Sequence, residues 1–195
     1  MSNPKFVYDG KTLSFAEALS SMERRKFSER DIVFSASGKA GSVFEHALDM
    51  IEIEIELFDD RAFYRALQAW WAWACQGNEY AFALDAADTI NTTLNGTAAA
   101  GQKVIPLTST VGIVAASRYR VRSADLTKEE IIQVDTISVG VSVTAVDNLI
   151  WGYASGDFFR SEDYFPKVIS RDDDFPAVET DFGNFKFKHK MREVA

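Results

Sequence analysis

Two segments far apart in the chain alternate strictly between apolar and charged residues: Ile51-Glu52-Ile53-Glu54-Ile55-Glu56-Leu57 and Phe185-Lys186-Phe187-Lys188-His189-Lys190-Met191. Successive side chains of a β-strand point to opposite faces, so each segment predicts a strand with one apolar face. The other face is all Glu in the first and all Lys in the second. Side by side in an antiparallel sheet, Glu52, Glu54 and Glu56 would meet Lys186, Lys188 and Lys190, and opposite charges paired across strands stabilise a sheet. Such a pairing brings both halves of the chain into one core and makes whatever lies between them an insertion.

Other positions predict further elements. Ser14-Phe15-Ala16-Glu17 reads as a capping box opening a short helix to about Met22, with Phe15, Ala18, Leu19 and Met22 on one face. Residues 23–42 are charged and then rich in Gly and Ser, an arm or long loop holding a strand at Ile32-Val33-Phe34. A second helix is expected over 61–76, with Asp60 as N-cap and Gly77 at C′. Phe63, Tyr64, Leu67, Trp70, Trp71 and Trp73 cover about half its circumference, more than one sheet face usually covers. Core packing explains most of this surface. The surplus makes Tyr64, Trp70, Trp71 and Trp73 a candidate subunit interface, since Trp and Tyr are enriched at interface hot spots.

Tyr80-Ala81-Phe82-Ala83-Leu84 reads as a strand. Short β-branched segments then follow at 103–107, 118–122, 130–134, 140–145 and 157–160, separated by glycines. The aromatics Trp151, Tyr153, Phe158, Phe159, Tyr164 and Phe165 read as core, and Asp172-Asp173-Asp174 as a solvated turn. The fold class predicted is mainly β (α+β). A β-sandwich from 1–89 and 163–195, flanked by the helix at 61–76, carries an inserted small β-barrel-like domain over 90–162.

Composition narrows the function. The 195 residues are 47% hydrophobic, enough for a substantial core without staples. Cys75 is the single cysteine, so there is no disulfide framework and no zinc pattern, which suits a reducing cytoplasm. The first residues lack the apolar run of a signal peptide, and no stretch approaches the roughly 20 apolar residues of a membrane span, so neither secretion nor membrane insertion is expected. The sequons at Asn91 and Asn95 are accordingly read as chance matches. A net charge of −8 disfavours gripping nucleic acid through its phosphates, while an acidic surface is compatible with a conduit that a polyanion passes without being held.

Catalysis is not expected. His46 and His189 have no partner pattern, and the chain lacks a Gly-x-Ser-x-Gly elbow, a Gly-x-Gly-x-x-Gly turn and a P-loop. Adjacent carboxylates such as Asp59-Asp60 diverge in a strand. No metal, cofactor or small-molecule ligand is expected either.

The order of strand Ile51–Leu57, helix with Trp70-Trp71-Ala72-Trp73, Gln76-Gly77, and strand Tyr80–Leu84 ending in Asp85 resembles the tail-tube-type β-sandwich of tailed bacteriophages, especially distal tail proteins. Phe185–Met191 is similar to the final strand that returns to the sheet in that family. The stretch with Ile105-Pro106-Leu107, Tyr119-Arg120-Val121-Arg122 and Tyr153-Ala154-Ser155-Gly156-Asp157 resembles small inserted β-domains of phage virion proteins. The resemblance implies a structural virion protein of the tail or baseplate, assembled in the host bacterial cytoplasm. It would form a homo-oligomeric ring, hexameric by analogy, around a DNA channel and contact neighbouring tail or baseplate proteins. Glu52, Glu54 and Glu56 would be candidates for the channel wall, or for a salt-bridged face if the lysines neutralise them. A carbohydrate- or receptor-binding β-sandwich module is the alternative.

Overall fold

The computed structural model describes residues 3–15, 20–34, 40–57, 61–85, 89–179 and 184–194. In chain order they form β1 (Lys5–Tyr8), β2 (Lys11–Ser14), β3 (Ser21–Phe34), β4 (Ala40–Leu57), α1 (Arg61–Ala74), β5 (Tyr80–Ala83), β6 (Asn91–Thr93), β7 (Val104–Pro106), β8 (Arg118–Arg122), β9 (Glu129–Ser138), β10 (Ser142–Ala145), β11 (Phe158–Ser161), β12 (Tyr164–Ser170), β13 (Ala177–Glu179) and β14 (Phe185–Glu193). The fold is mainly β with one flanking helix. Two compact units are present, 1–86 with 165–195 and 87–164.

The first unit is one eight-stranded sheet in the order β2-β1-β5-β12-β14-β4-β3, with β13 also on β14. β14 runs antiparallel to β4 with Phe185 opposite Leu57, Phe187 opposite Ile55, His189 opposite Ile53 and Met191 opposite Ile51. The apolar set of both strands therefore shares one face, and Ile51, Ile53, Ile55, Phe187, His189 and Met191 are buried there. Neighbouring strands lie about 4.8 Å apart. The Phe6 ring nevertheless lies 6.2 Å from that of Phe187, although two strands separate β1 from β14. The sheet thus curls over on itself to enclose a core as a sandwich does. Trp70 of α1 fills the centre, stacked on Phe6 at 4.6 Å and edge-on to Tyr80 at 5.4 Å.

Three local expectations change. Ser14 closes β2 opposite Lys5, and Met22 lies in β3, so these ends of the expected helix over 14–22 are extended. The Phe15 amide donates to the Pro4 carbonyl at 2.9 Å, which continues the sheet; the capping box read at Ser14 and Glu17 falls on residues 16–19, which lie outside the described residues. β1 and β2 form a hairpin on Asp9-Gly10, both at positive φ (45° and 69°), the backbone that an Asp-Gly pair favours in a two-residue turn. The segment read as an arm or loop is the paired ribbon of β3 and β4. Helix α1 ends at Ala74, and Gly77 has φ 80° while its amide donates to the Ala74 carbonyl at 3.1 Å. Asp60 lies outside the described residues.

The second unit is a six-stranded sheet, β6-β11-β8-β9-β10-β7. Its two end strands meet: Leu94 bridges Leu107, and the Thr108 amide donates to the Thr93 carbonyl at 2.9 Å. The sheet curls around Leu94, Ile105, Leu107, Tyr119, Val121, Val134, Val143, Tyr153 and Phe159. Between Thr144 and Ala145 the register skips Asp135 of β9, and this bulge gives β9 the extra bend such curling needs.

Candidate assembly surfaces

On the outer face of the first unit, Glu52, Glu54 and Glu56 of β4 stand opposite Lys190, Lys188 and Lys186 of β14. The two short ion pairs run diagonally. Lys186 Nζ lies 2.6 Å from Glu54, Lys188 Nζ 2.7 Å from Glu52, and Lys190 Nζ 3.9 Å from the other Glu52 oxygen. The Lys188 ammonium holds the Glu52 carboxyl below its usual range, and Glu52 in turn raises Lys188. On β3, Glu23 stands opposite Glu52 and is held by Arg25 at 2.6 Å. Glu23, Glu52, Glu54 and Glu56 thus share this face with Arg25, Lys186, Lys188 and Lys190, a patch of mixed sign on a chain of net charge −8.

The aromatic residues of α1 divide between two situations. Trp70 is fully buried in the core of the first unit and no part of an exposed surface. Tyr64, Trp71 and Trp73 are half-buried. Tyr64 stacks on Phe185 at 4.1 Å, Trp73 lies 5.5 Å from Tyr8, and Trp71 lies 6.4 Å from Phe175. Each therefore presents one side of its ring to the core and an edge to the surface.

His189 is buried beneath the helix. Its Nε2 accepts from the Tyr80 hydroxyl at 2.6 Å, and its Nδ1–H donates to Asp172 Oδ2 at 2.5 Å. The same carboxylate oxygen accepts the Lys190 amide at 3.0 Å. Burial pushes the imidazole below its ordinary value despite the carboxylate, and it pushes the Tyr80 phenol up. The acidic segment is therefore more than a solvated turn, since Asp172 buttons it onto β14. A neutral ring wedged between Phe6, Trp70 and Phe187 has no room for a substrate, so this relay is structural.

No protein-family model and no curated protein matches the chain. Among the described residues no group of three or more His, Cys, Asp or Glu could hold a metal ion, and no helix is long and apolar enough to cross a membrane.

The β3–β4 ribbon outruns the sheet. Pairing of β14 with β4 stops at Met50, whereas β3 and β4 stay paired from Lys26 opposite Asp49 to Phe34 opposite Ala40. These nine register pairs, at about 3.3 Å per residue, extend roughly 30 Å. Along them β4 has no second neighbouring strand among the described residues.

In the second unit, one loop displays apolar side chains. The Glu130 carboxylate accepts the amides of Ile150 (3.0 Å) and Trp151 (3.2 Å), and Lys128 Nζ donates to the Gly152 carbonyl at 3.3 Å. Ile150 is 70% exposed and Trp151 48%. Trp151, expected in the core, therefore faces outward, because pinned amides turn the loop outward at that point. Tyr153 and Phe159 are buried in this unit's core, and Phe165 in the core of the first.

Proposed function

We propose that this chain is a self-assembling structural subunit of the bacteriophage tail or baseplate type, forming a ring around a central channel and connecting to neighbouring tail proteins. The observation that carries the reading is the β3–β4 ribbon. A two-stranded ribbon is marginal in water on its own, and its open edges are templates for pairing with another chain. A ribbon of this length suits engagement with the sheet of an adjacent subunit. The balanced face of Glu52, Glu54, Glu56, Lys186, Lys188 and Lys190 supports a wall that a polyanion would pass without being held.

The test is light scattering and negative-stain microscopy of the full chain across a concentration series, beside a variant in which 27–48 is replaced by Asn-Gly. Rings with an open centre for the full chain, and a folded, non-assembling variant, are the expected results. A full chain that stays monomeric at high concentration would overturn the proposal.

A second reading, a receptor- or carbohydrate-binding module, is favoured by the Ile150–Trp151 loop. It predicts that glycans quench Trp151 fluorescence in a chain that remains monomeric.

A further inference from the structure

Two turns of the second unit share one design. Thr110-Val111-Gly112-Ile113 and Ser138-Val139-Gly140-Val141 each close with a hydrogen bond from the fourth amide to the first carbonyl, 3.2 Å and 3.0 Å. Gly112 and Gly140 have φ 81° and 74°, the left-handed third position that a type II turn reserves for glycine. The turns are joined, because the Gly140 amide donates to Thr110 Oγ1 at 2.7 Å and the Leu107 amide donates to the Val141 carbonyl at 3.0 Å. A Cβ on Gly112 would come within 2.8 Å of Ile90 Cδ1, so the first turn is seated firmly on the core.

Val111 and Val139 occupy the second position of each turn, where the geometry accepts most residues, and they are 85% and 87% exposed. Val141, beside them, is also exposed. Nothing in the turn chemistry requires an apolar side chain at these places. Polar residues would fold equally well and cost less exposed apolar surface, so the valines call for an explanation outside the monomer.

Charge narrows what covers them. Residues 104–117 and 136–146 contain no charged side chain, in a chain that is 26% charged with a net charge of −8. A lipid surface is a poor fit, since peripheral insertion relies on Lys or Arg at the headgroups and on larger apolar anchors, and these segments offer neither. A second copy of the same acidic chain is repelled over most of its surface but can approach here without opposing carboxylates. Two joined turns with matching tips also suit an isologous contact, in which Val111 of one copy packs on Val139 of the other and the reverse.

We propose that the paired Val-Gly turns are a self-complementary contact through which two copies of this chain associate. The contact is small and uncharged, so it is weak, and 1 M salt preserves or strengthens it. This inference is independent of the ribbon.

Sedimentation equilibrium of the full chain over a concentration series, in 0.1 M and 1 M NaCl, reads it. The expected mass climbs above monomer in both salts. V111D/V139D weakens the pairing by about a hundredfold or more, through burial of unpaired charge. V111T/V139T, nearly isosteric, retains the fold with an intermediate loss, and Val178→Asp, at an exposed valine of the first unit, has no effect. Pairing that persists in the chain lacking 27–48 separates this contact from the ribbon. Association unchanged in V111D/V139D, association lost at 1 M salt, or a monomer that instead binds phosphatidylcholine vesicles would each overturn it.

Discussion

Lys188 reaches past its register partner Glu54 to ion-pair with Glu52, two residues along β4, at 2.7 Å. Lys186 does the same, passing Glu56 for Glu54. The shared diagonal follows from the twist of adjacent strands, which carries each long lysine stem over the next carboxylate. Glu52 consequently serves two lysines, with Lys190 at 3.9 Å.

Because these charges are exposed, the ladder is sensitive to salt. Lys188→Gln should lower the urea midpoint slightly in low salt and not at all in 1 M NaCl. The charge-swapped pair E52K/K188E should recover part of the loss, while E54K/K188E, on the register partner, should recover less. Chemical denaturation of the three variants beside the parent chain checks the diagonal.

The His189 relay gives stability a defined dependence on pH. The folded imidazole sits below its ordinary value, so near pH 6.5 the unfolded chain binds a proton that the native state refuses. Stability from this group is present above that pH and lost as pH falls through it, at up to about 1.4 kcal/mol per pH unit. His189→Gln should be less stable at neutral pH and should show a shallower loss between pH 7 and 5.5. Urea titrations at stepped pH measure both.

Trp70→Ala should destabilise the first unit by about 3–5 kcal/mol, since the indole is fully buried against Phe6 and Tyr80. Trp71→Ala and Trp73→Ala remove half-buried rings and should cost clearly less. If the α1 surface is also an interface, these two variants should lose assembly before they lose thermal stability. Calorimetry beside light scattering separates the effects.

Glu130→Ala removes the acceptor for two loop amides. Hydrogen exchange at Ile150 and Trp151 should accelerate by about tenfold or more while β9 stays protected, because loss of a charged acceptor opens only the loop.

The parts of this architecture written in burial were readable from the residues. β4 and β14 each bury one face, so their alternation predicts both the strands and their pairing. β8 was readable for the same reason, as a short β-branched and aromatic run between turn residues. Of the outer ribbon only the strand at Ile32-Val33-Phe34 was readable, within β3; its length and its pairing with β4 were not, because no strict alternation marks residues 26–48 and a backbone ladder leaves no trace in side-chain type. The β1–β2 hairpin did carry a signal, Asp9-Gly10 between two short strands, while the helix read over 14–22 is extended at its two described ends, Ser14 and Met22, where strand pairing prevails. Among the candidate surfaces, the charged face could be named by residue. The partner of Asp172 and the outward turn of Trp151 depend on contacts distant in sequence, to His189 and Glu130, which no local pattern records.

The place of β14 in the sheet order has a consequence for how the chain comes to be folded. Among the described elements, residues 185–193 come last along the sequence, yet they supply the strand that joins β12 to β4 in the first unit's sheet. Without them β12 and β4 each present an open edge, whereas the strands of residues 87–164 all pair with one another. The first unit's sheet therefore stays unzipped until β14 is laid in, and this strand acts as the latch that ends its exposure to aggregation and proteases.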